Sequence, residues 1–326
     1  MRQFYKNKSL LWILTVIVIV FLVLLFIKIN HKEQYNIVFI SKSINPDFDF
    51  WETVKMGMEL AAKEENALLE VKGPYYEKDI DIQKTILEET IEQHPDIILL
   101  AAANTEALAG LIEKAKKEKI TLVTVDSKTE GVEVVSHIGT NNIEASGALA
   151  RYVAQNIAQE GEVIMINFVE GVSTAKEREE GYKKEMQKYP KINVLPTVYS
   201  DGTVEGSYKT AKNVIKDYPN VKAIIGANQQ TADGICDAIF ELGMSSDIKV
   251  VGFDSSKTII YALEKEIMDA IIVQKPFNMG YLSVKCAIEA KKGKAVPSFL
   301  NTGYKFIDKD SLYLTENQKL LFPIIK

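Results

Sequence analysis

Short apolar runs alternate with amphipathic helical patterns from residue 36 onward, and this alternation constrains the fold more than any other feature. The nine predicted strands cover 36–40, 68–71, 96–100, 121–125, 162–168, 193–198, 222–226, 249–253 and 269–273. Helices are predicted between them, for example over 51–66, 81–93, 106–117, 143–159, 204–217 and 231–242. Continuously apolar strands alternating with helices indicate parallel sheets buried on both faces. Because nine strands exceed one ordinary small domain, the sequence predicts an α/β fold with two doubly wound parallel-sheet lobes.

The N-terminal apolar run LLWILTVIVIVFLVLLFI, residues 10–27, predicts a membrane anchor. Its 18 residues span about 27 Å as a helix, close to the thickness of a bilayer core. A cleaved signal peptide is the alternative, but its apolar region is usually about 7–15 residues and ends in a small-residue site, which residues 28–31 lack. Arg2, Lys6 and Lys8 precede the run. The positive-inside rule therefore places the N-terminus in the cytoplasm and the body outside the membrane.

Charge and composition exclude several classes of function. The net charge is −5, and the first 28 residues hold four cationic side chains and no acid, so the remainder carries −9. An acidic body without a basic stripe argues against a nucleic-acid partner. Cys236 and Cys286 lie in helical apolar patterns and are predicted to be core residues. The three histidines are scattered, so neither a metal nor a cofactor is predicted.

Polar side chains follow several predicted strands at their carboxyl ends, where open parallel sheets bind ligands. Asp126 and Ser127 follow TLVTV, Asn228 follows KAIIGA, Asp254 follows KVVGF and Gln274 follows DAIIV. Carboxylates accept hydrogen bonds from hydroxyl groups, and amides both donate and accept them. This set of residue types suits a sugar.

Three further candidates lie in or close behind the loop after the first strand, and one lies in a later helix. Asn45, Phe50 and Trp51 follow the first strand, and Arg178 lies in the segment STAKEREEGY. Flat aromatic rings cover the apolar C–H faces of a sugar ring, and a guanidinium group donates in fixed directions.

Each candidate also has a purely structural interpretation. Asp126 and Asp254 could cap the helices that follow them. Arg178 could pair with an adjacent glutamate on a solvated helix face. The aromatic pair could belong to the core, and Gln274 could be a linker residue.

Four stretches carry a resemblance to a known family: GVEVVSHIGTNN (131–142), STAKEREEGY (173–182), VVGFDSS (250–256) and IIVQKP (271–276). With them, residues 36–302 resemble the ribose-type periplasmic binding proteins, which are relatives of the ligand domain of lac-type repressors. The resemblance implies a sugar-binding role for Asn45, Phe50, Trp51, Asp126, Arg178, Asn228, Asp254 and Gln274. Ser127 stands where ribose receptors carry an arginine, and Gln229 stands where many carry an aspartate. The implied ligand is therefore a small sugar, such as xylose, ribose or a hexose.

The same resemblance implies the division of the chain. The expected parts are a cytoplasmic tail (1–9), an anchor (10–28), a linker (29–35), an N-terminal lobe (36–138 and 275–302) and a C-terminal lobe (139–274 and 303–326). Three crossings near 137–140, 274–276 and 301–303 would form a hinge, so that the lobes close around the ligand. The segment from residue 304 extends beyond the usual end of the fold and is predicted to pack on the second lobe, with binding of a partner as the alternative.

The sequence predicts a binding protein and not an enzyme. It contains no G-x-S-x-G elbow, no Walker loop and no G-x-G-x-x-G opening a helix. A glycosidase pair formed by Asp126 and Asp254 is a remote alternative. A repressor would carry a basic DNA-binding module where this chain has an apolar run.

The predicted partners are a small sugar, the membrane and one membrane protein. That protein is an ABC permease if the receptor acts in uptake, or the ectodomain of a sensor histidine kinase if it acts in signalling. An uncleaved anchor is compatible with both roles.

Overall fold

The computed structural model describes residues 12, 15–17, 19, 20, 34–46 and 48–322. Most of the predicted anchor at 10–28, the tail at 1–9 and most of the linker at 29–35 lie outside these residues. Within the part that is described, none of the helices combines the length and the apolar composition that a membrane crossing requires.

The described residues form thirteen strands that belong to two sheets. In chain order they are β1 (Asn36–Ile40), β2 (Leu68–Lys72), β3 (Ile97–Leu100), β4 (Thr121–Val125), β5 (Ser136–Gly139), β6 (Gly161–Asn167), β7 (Ile192–Val194), β8 (Val198–Tyr199), β9 (Val221–Gly226), β10 (Lys249–Phe253), β11 (Ala270–Gln274), β12 (Phe299–Asn301) and β13 (Tyr304–Asp308).

Ten helices connect or follow these strands in the same part of the chain. They are α1 (Asp49–Glu65), α2 (Ile80–Glu92), α3 (Thr105–Lys117), α4 (Asn142–Asn156), α5 (Ser173–Met186), α6 (Val204–Asp217), α7 (Gln229–Leu242), α8 (Lys257–Glu264), α9 (Pro276–Lys291) and α10 (Thr315–Leu321).

The two sheets have equivalent strand orders and differ in the direction of one edge strand, and each sheet defines a lobe. The N-lobe sheet has the order β12-β5-β4-β3-β1-β2, and all its pairs are parallel. The C-lobe sheet has the order β13-β11-β10-β9-β6-β7, with β8 also paired to β6, and only β13 is antiparallel to its neighbour. In each sheet the strand order reverses next to the first strand, and such a reversal opens a crevice at the carboxyl ends of the strands.

Both faces of each sheet are buried, as the continuously apolar runs predict. In β1, Ile37 and Phe39 belong to one apolar cluster, while Val38 and Ile40 belong to the cluster on the opposite face. Successive side chains of a strand point to opposite faces, so helices must cover both sides of the sheet. The prediction of two parallel-sheet α/β lobes is confirmed.

Close helix crossings bring glycines against backbone in both lobes. In the N-lobe, a Cβ atom on Gly57 of α1 would lie 2.1 Å from the carbonyl oxygen of Phe277, and one on Gly280 of α9 would lie 1.9 Å from that of Val54. In the C-lobe, a Cβ atom on Gly181 of α5 would lie 2.2 Å from the carbonyl oxygen of Ile143. Side chains at these positions would force the helices apart.

The chain passes between the sheets three times. It leaves the N-lobe sheet after β5, returns to the N-lobe after β11 to form α9, and passes from β12 directly into β13. Strands β5, β12 and β13 are absent from the predicted strands because they are short or mixed in polarity. The strand predicted at 193–198 is divided into β7 and β8, because Pro196 between them has no N–H group to donate to the ladder.

The C-terminal segment packs on the second lobe, as predicted for its described residues. Strand β13 pairs with β11, and Leu312 and Leu321 belong to the C-lobe core. The two cysteines are core residues of different lobes: Cys236 lies in the C-lobe core and Cys286 in the N-lobe core. Both are free thiols.

Candidate ligand-binding site

A cavity lies between the lobes at the carboxyl ends of both sheets. Its volume is about 360 Å³ including its opening to solvent, at the lower end of the usual range for small-molecule sites. The described residues that line it are Lys42, Phe48, Phe50, Trp51, Glu77, Asp126, Phe168, Thr174, Arg178, Asn228, Gln229, Gln230, Asp254 and Gln274.

Asp126 is held in the cavity wall by backbone and side-chain contacts. Its φ is 63°, a left-handed conformation that few residues other than glycine adopt, and its N–H donates to the carbonyl of Ile138 at 2.8 Å. Its Oδ2 accepts from the ammonium of Lys42 at 2.7 Å and from the hydroxyl of Ser127 at 3.2 Å. Burial acts to raise the pKa of Asp126, but Lys42 and Arg178 outweigh burial and hold the pKa below its ordinary value.

Asp254 occupies the matching position in the C-lobe. Its φ is 69°, and its N–H donates to the carbonyl of Ile272 at 2.7 Å. Its Oδ1 accepts from Nε2 of Gln274 at 2.8 Å. Burial raises the pKa of Asp254, and the nearby Arg178 only partly offsets this effect.

Arg178 is buried between the cavity and the C-lobe core and does not form the surface ion pair of the alternative interpretation. Its Nε donates to Oδ1 of Asn142 at 2.9 Å, and its Nη1 donates to the carbonyl of Ala227 at 2.6 Å. The guanidinium carbon lies 4.1 Å from the ring centre of Phe253 and 5.9 Å from that of Phe168. These contacts fix the guanidinium group before any ligand arrives.

Aromatic side chains from both lobes line the cavity. Phe50 and Trp51 come from the first turn of α1 and meet edge to face, with ring centres 4.9 Å apart. The indole N–H of Trp51 donates to Oε1 of Glu77 at 2.9 Å, and Trp51 is also part of the N-lobe core. Phe168 follows β6 in the C-lobe.

Amide side chains complete the C-lobe wall. Asn228 is the N-cap of α7: its side chain accepts from the N–H of Thr231 at 2.9 Å and donates to Oε1 of Gln230 at 2.8 Å. Oε1 of Gln229 and Oε1 of Gln274 are buried, and neither has a hydrogen-bond partner among the described residues. A buried carbonyl oxygen without a partner is costly, and a ligand hydroxyl would satisfy it.

Seven of the nine predicted site residues line this one cavity: Phe50, Trp51, Asp126, Arg178, Asn228, Asp254 and Gln274. Ser127 is not in the lining, but its hydroxyl supports Asp126 from behind. Asn45 is also outside the lining, because the long first loop turns there: the N–H of Phe48 donates to the carbonyl of Asn45 at 3.1 Å. The N-cap interpretation does not hold for either aspartate, since a strand follows Asp126 and Ser256 caps α8.

The site also contains residues that the sequence reasoning did not select. They are Lys42, Phe48, Glu77, Phe168, Thr174, Gln229 and Gln230. Phe168 directly follows β6, and Lys42 follows β1 by two positions. A search that covers two positions after each predicted strand would have selected Lys42, whereas Phe168 falls inside the strand predicted at 162–168 and would have been missed.

Comparison with known proteins identifies the family. The model of the periplasmic binding protein domain matches residues 37–295. The ribose import binding protein RbsB of Bacillus subtilis (strain 168) is 24% identical over 277 residues, which are 85% of this chain and 88% of that protein. The D-allose-binding periplasmic protein of Escherichia coli (strain K12) is 26% identical over 268 residues, 79% of this chain and 86% of that protein.

Solved structures give the same result. A carbohydrate transporter solute-binding protein from Agrobacterium radiobacter, in complex with D-arabinose, has a TM-score of 0.84 and 26% identity, and the match covers 88% of this chain and 99% of that one. GanP, a glucose-galactose binding protein from Geobacillus stearothermophilus, has a TM-score of 0.83 and 27% identity over 86% of this chain and 100% of that one. These relatives are named as binding or transport proteins, in agreement with the prediction that the chain is not an enzyme.

Proposed function

Because the chain belongs to the periplasmic binding protein family, we propose that it is an extracytoplasmic receptor that closes its two lobes around a small sugar and acts in sugar uptake with an ABC transporter. One observation carries the proposal. Carboxyl, guanidinium, amide and aromatic groups from both lobes line a single cavity between the sheets. A ligand rich in hydroxyl groups can use all of these groups together.

The hydrogen-bonding capacity of the wall supports a sugar as the ligand. Hydroxyl groups of a ligand can donate to the carboxyl groups of Asp126 and Asp254. They can also donate to Oε1 of Gln229 and Gln274, which lacks a hydrogen-bond partner among the described residues. Phe50 lines the cavity from the N-lobe and Phe168 lines it from the C-lobe, so an apolar ring face could be covered from both lobes. The names of the relatives, which bind ribose, allose or other sugars, point to the same class of ligand.

Contacts across the cleft support closure as the mechanism. Nζ of Lys78 in the N-lobe lies 3.0 Å from Oδ2 of Asp201 in the C-lobe, and Nζ of Lys176 in the C-lobe lies 3.3 Å from Oε2 of Glu130 in the N-lobe. We propose lobes of 36–138 with 275–302 and of 139–274 with 303–326, which move about the three crossings. Closure removes water from the cavity and strengthens each hydrogen bond inside it.

A thermal-shift screen tests the proposed ligand class. The purified protein is heated with D-ribose, D-xylose, D-arabinose, D-allose, D-fucose, D-glucose or D-galactose. A sugar present at roughly 100 times its Kd should raise the Tm by about 5 °C or more, because it binds only the folded state. No shift with any of these sugars would contradict the proposal.

A pair of matched variants then locates the binding. Gln274→Leu removes a cavity hydrogen-bonding group, and Gln187→Leu makes the same change at an exposed position of the C-lobe. Calorimetry should show about 2- to 12-fold weaker binding for the first variant and no change for the second. Equal affinities would place the sugar elsewhere.

We also propose that residues 10–28 anchor the protein in the membrane with the body outside. The support is the length of the apolar run and the basic residues before it. The full-length chain should remain in the membrane pellet after alkaline carbonate extraction, and a chain that starts at residue 34 should not. Release of the full-length chain by carbonate would contradict the anchor.

The anchor leaves one second role open, because a receptor fixed in the membrane also suits a fixed signalling partner. Cross-linking in membranes, with and without the bound sugar, separates the two roles. Recovery of an ABC permease supports uptake, and recovery of a sensor histidine kinase supports signalling instead.

A further inference from the structure

Lys42 is a buried cation in the wall of the cavity. Its side chain is only 2% exposed, and its ammonium nitrogen lies 2.7 Å from Oδ2 of Asp126. The same nitrogen lies 5.8 Å from the centre of the Trp51 ring. Lys42 therefore faces two of the residues that the proposed function assigns to the sugar.

Stability does not explain this ion pair. Two buried charges lose their hydration, and their mutual attraction usually only offsets that loss, so apolar residues of similar size would serve the fold equally well. An ammonium group has three N–H donors. Within residues 34–46 and 48–322, its hydrogen bonds go to Asp126 alone. The remaining donors can be satisfied by an oxygen atom of a ligand in the cavity.

Ser127 completes the arrangement around Asp126. Its hydroxyl donates to the same Oδ2 that accepts from Lys42, at 3.2 Å. Both protein donors therefore use Oδ2, and Oδ1 remains for the ligand. The position after the aspartate carries no cation in this chain, and the cation beside Asp126 comes from the loop after β1 instead.

We propose that Lys42 is a specificity-determining residue that contacts the ligand, a role that rests on the proposed function. Its ammonium donates to one oxygen of the bound sugar, and the neighbouring hydroxyl donates to Oδ1 of Asp126. The pair therefore recognises two adjacent oxygen atoms of the sugar. One oxygen accepts from Lys42, and the hydroxyl group of the other donates to Asp126. The cavity wall holds three carboxyl groups, on Glu77, Asp126 and Asp254, against two cationic side chains, an arrangement that favours an uncharged sugar over a sugar acid.

Calorimetry with deoxy sugars tests this role. The tightest-binding sugar of the screen and its monodeoxy analogues are titrated into the wild type, Lys42→Met and Lys42→Arg. Lys42→Met should bind the parent sugar about 10- to 150-fold more weakly. For the analogue that lacks the contacted oxygen, the loss of affinity relative to the parent sugar should be smaller in Lys42→Met than in the wild type by about tenfold or more. The reason is that Lys42→Met no longer donates to that oxygen. Lys42→Arg should keep the ion pair but change the ranking of the analogues, since a planar fork donates in other directions.

The outcomes separate contact from positioning. If Lys42→Met weakens the parent and every analogue by one common factor, Lys42 only positions Asp126 and the inference is overturned. Unchanged binding by Lys42→Met would also overturn it, while the proposed function would stand. If no sugar binds the wild type, both proposals fail together. If Lys42→Met does not fold, the deoxy analogues are compared in Lys42→Arg and the wild type instead. An unchanged ranking of the analogues in Lys42→Arg would overturn the inference.

Discussion

Asp126 in the N-lobe and Asp254 in the C-lobe share one backbone position but differ in what their carboxyl groups meet. Both follow an inner strand of their sheet, both have a positive φ, and both donate their N–H to the next strand. Asp126 is paired with the ammonium of Lys42, which keeps its pKa low. Asp254 is paired with the amide of Gln274, and burial raises its pKa.

The difference shows that the two sides of one cleft can shift the pKa values of equivalent carboxyl groups in opposite directions. A second C-lobe carboxyl, on Asp233, follows the pattern of Asp254. It lies on α7, accepts from the hydroxyl of Ser256 at 2.5 Å, and burial raises its pKa to about 7. The carboxylate on the N-lobe side of the site is therefore paired with a cation, while burial raises the pKa of these two C-lobe carboxyl groups.

The largest expected effect comes from breaking the buried ion pair of Lys42 and Asp126 on the N-lobe side of the cleft. Asp126→Ala leaves Lys42 buried without its carboxylate, and an unpaired buried charge costs about 3–5 kcal/mol of unfolding free energy. Asp254→Ala leaves Arg178 held by Asn142 and the carbonyl of Ala227, so it should cost at most about 1.5 kcal/mol. Urea unfolding of both variants without sugar measures the difference.

The double variant Lys42→Met, Asp126→Ala is the control for this comparison. It removes both charges and should recover most of the lost stability while sugar binding remains weak. If Asp126→Ala and Asp254→Ala lose equal stability, the ion pair of Asp126 with Lys42 does not distinguish the N-lobe side of the cleft from the C-lobe side.

The next largest expected effect is the pH dependence of the unfolding free energy that Asp233 of the C-lobe causes. An acid with a raised folded pKa contributes stability that is complete below its unfolded value of 3.8 and is lost as the pH rises through about 7. Asp233 should therefore lower the unfolding free energy by about 3 kcal/mol between pH 4 and pH 7. Asp233→Asn should remove most of this slope, and the exposed Asp217→Asn should not. Parallel slopes for all three proteins in urea unfolding would show that Asp233 is ionised at neutral pH.

A third prediction concerns binding and not stability. Asp254→Ala should weaken sugar binding by about 10- to 150-fold, because a hydrogen bond to a charged group contributes about 1.5–3 kcal/mol. Asp217→Ala, an exposed change in the same lobe, should leave the affinity unchanged. A loss below threefold for Asp254→Ala in calorimetry would remove it from the site.

The sequence predicts the repeated architecture better than the chemistry of the cleft. Continuous apolar runs identify eight inner and edge strands, because burial on both faces leaves an unmistakable pattern. Asp126 and Asp254 could be selected because each directly follows such a strand. The short strands β5 and β12 could not be predicted, because three or four residues carry too little periodicity.

What the sequence could not predict are contacts between distant segments. Lys42 and Asp126 are 84 positions apart, and nothing in either segment indicates that they form an ion pair. The opposite pKa directions of the two aspartates also depend on such contacts, because Lys42 comes from the loop after β1 and Gln274 comes from β11. Local pattern therefore finds the position of a site residue, and tertiary packing decides its charge.

The smallest expected effect concerns the contact between the lobes themselves. The ion pair of Lys78 and Asp201 spans the mouth of the cleft, but both side chains are more than a third exposed. Exposed ion pairs contribute about 0.2–1 kcal/mol, so Lys78→Met should weaken sugar binding by at most about fivefold. Lys209→Met is the matched control, because its partner Glu205 lies in the same helix and the pair does not bridge the lobes. The effect of Lys78→Met should disappear in 1 M salt, where charges are screened within about 3 Å. If it persists there, Lys78 supports closure by packing against Tyr76, whose ring centre lies 5.6 Å from its ammonium, and the ion pair itself contributes nothing.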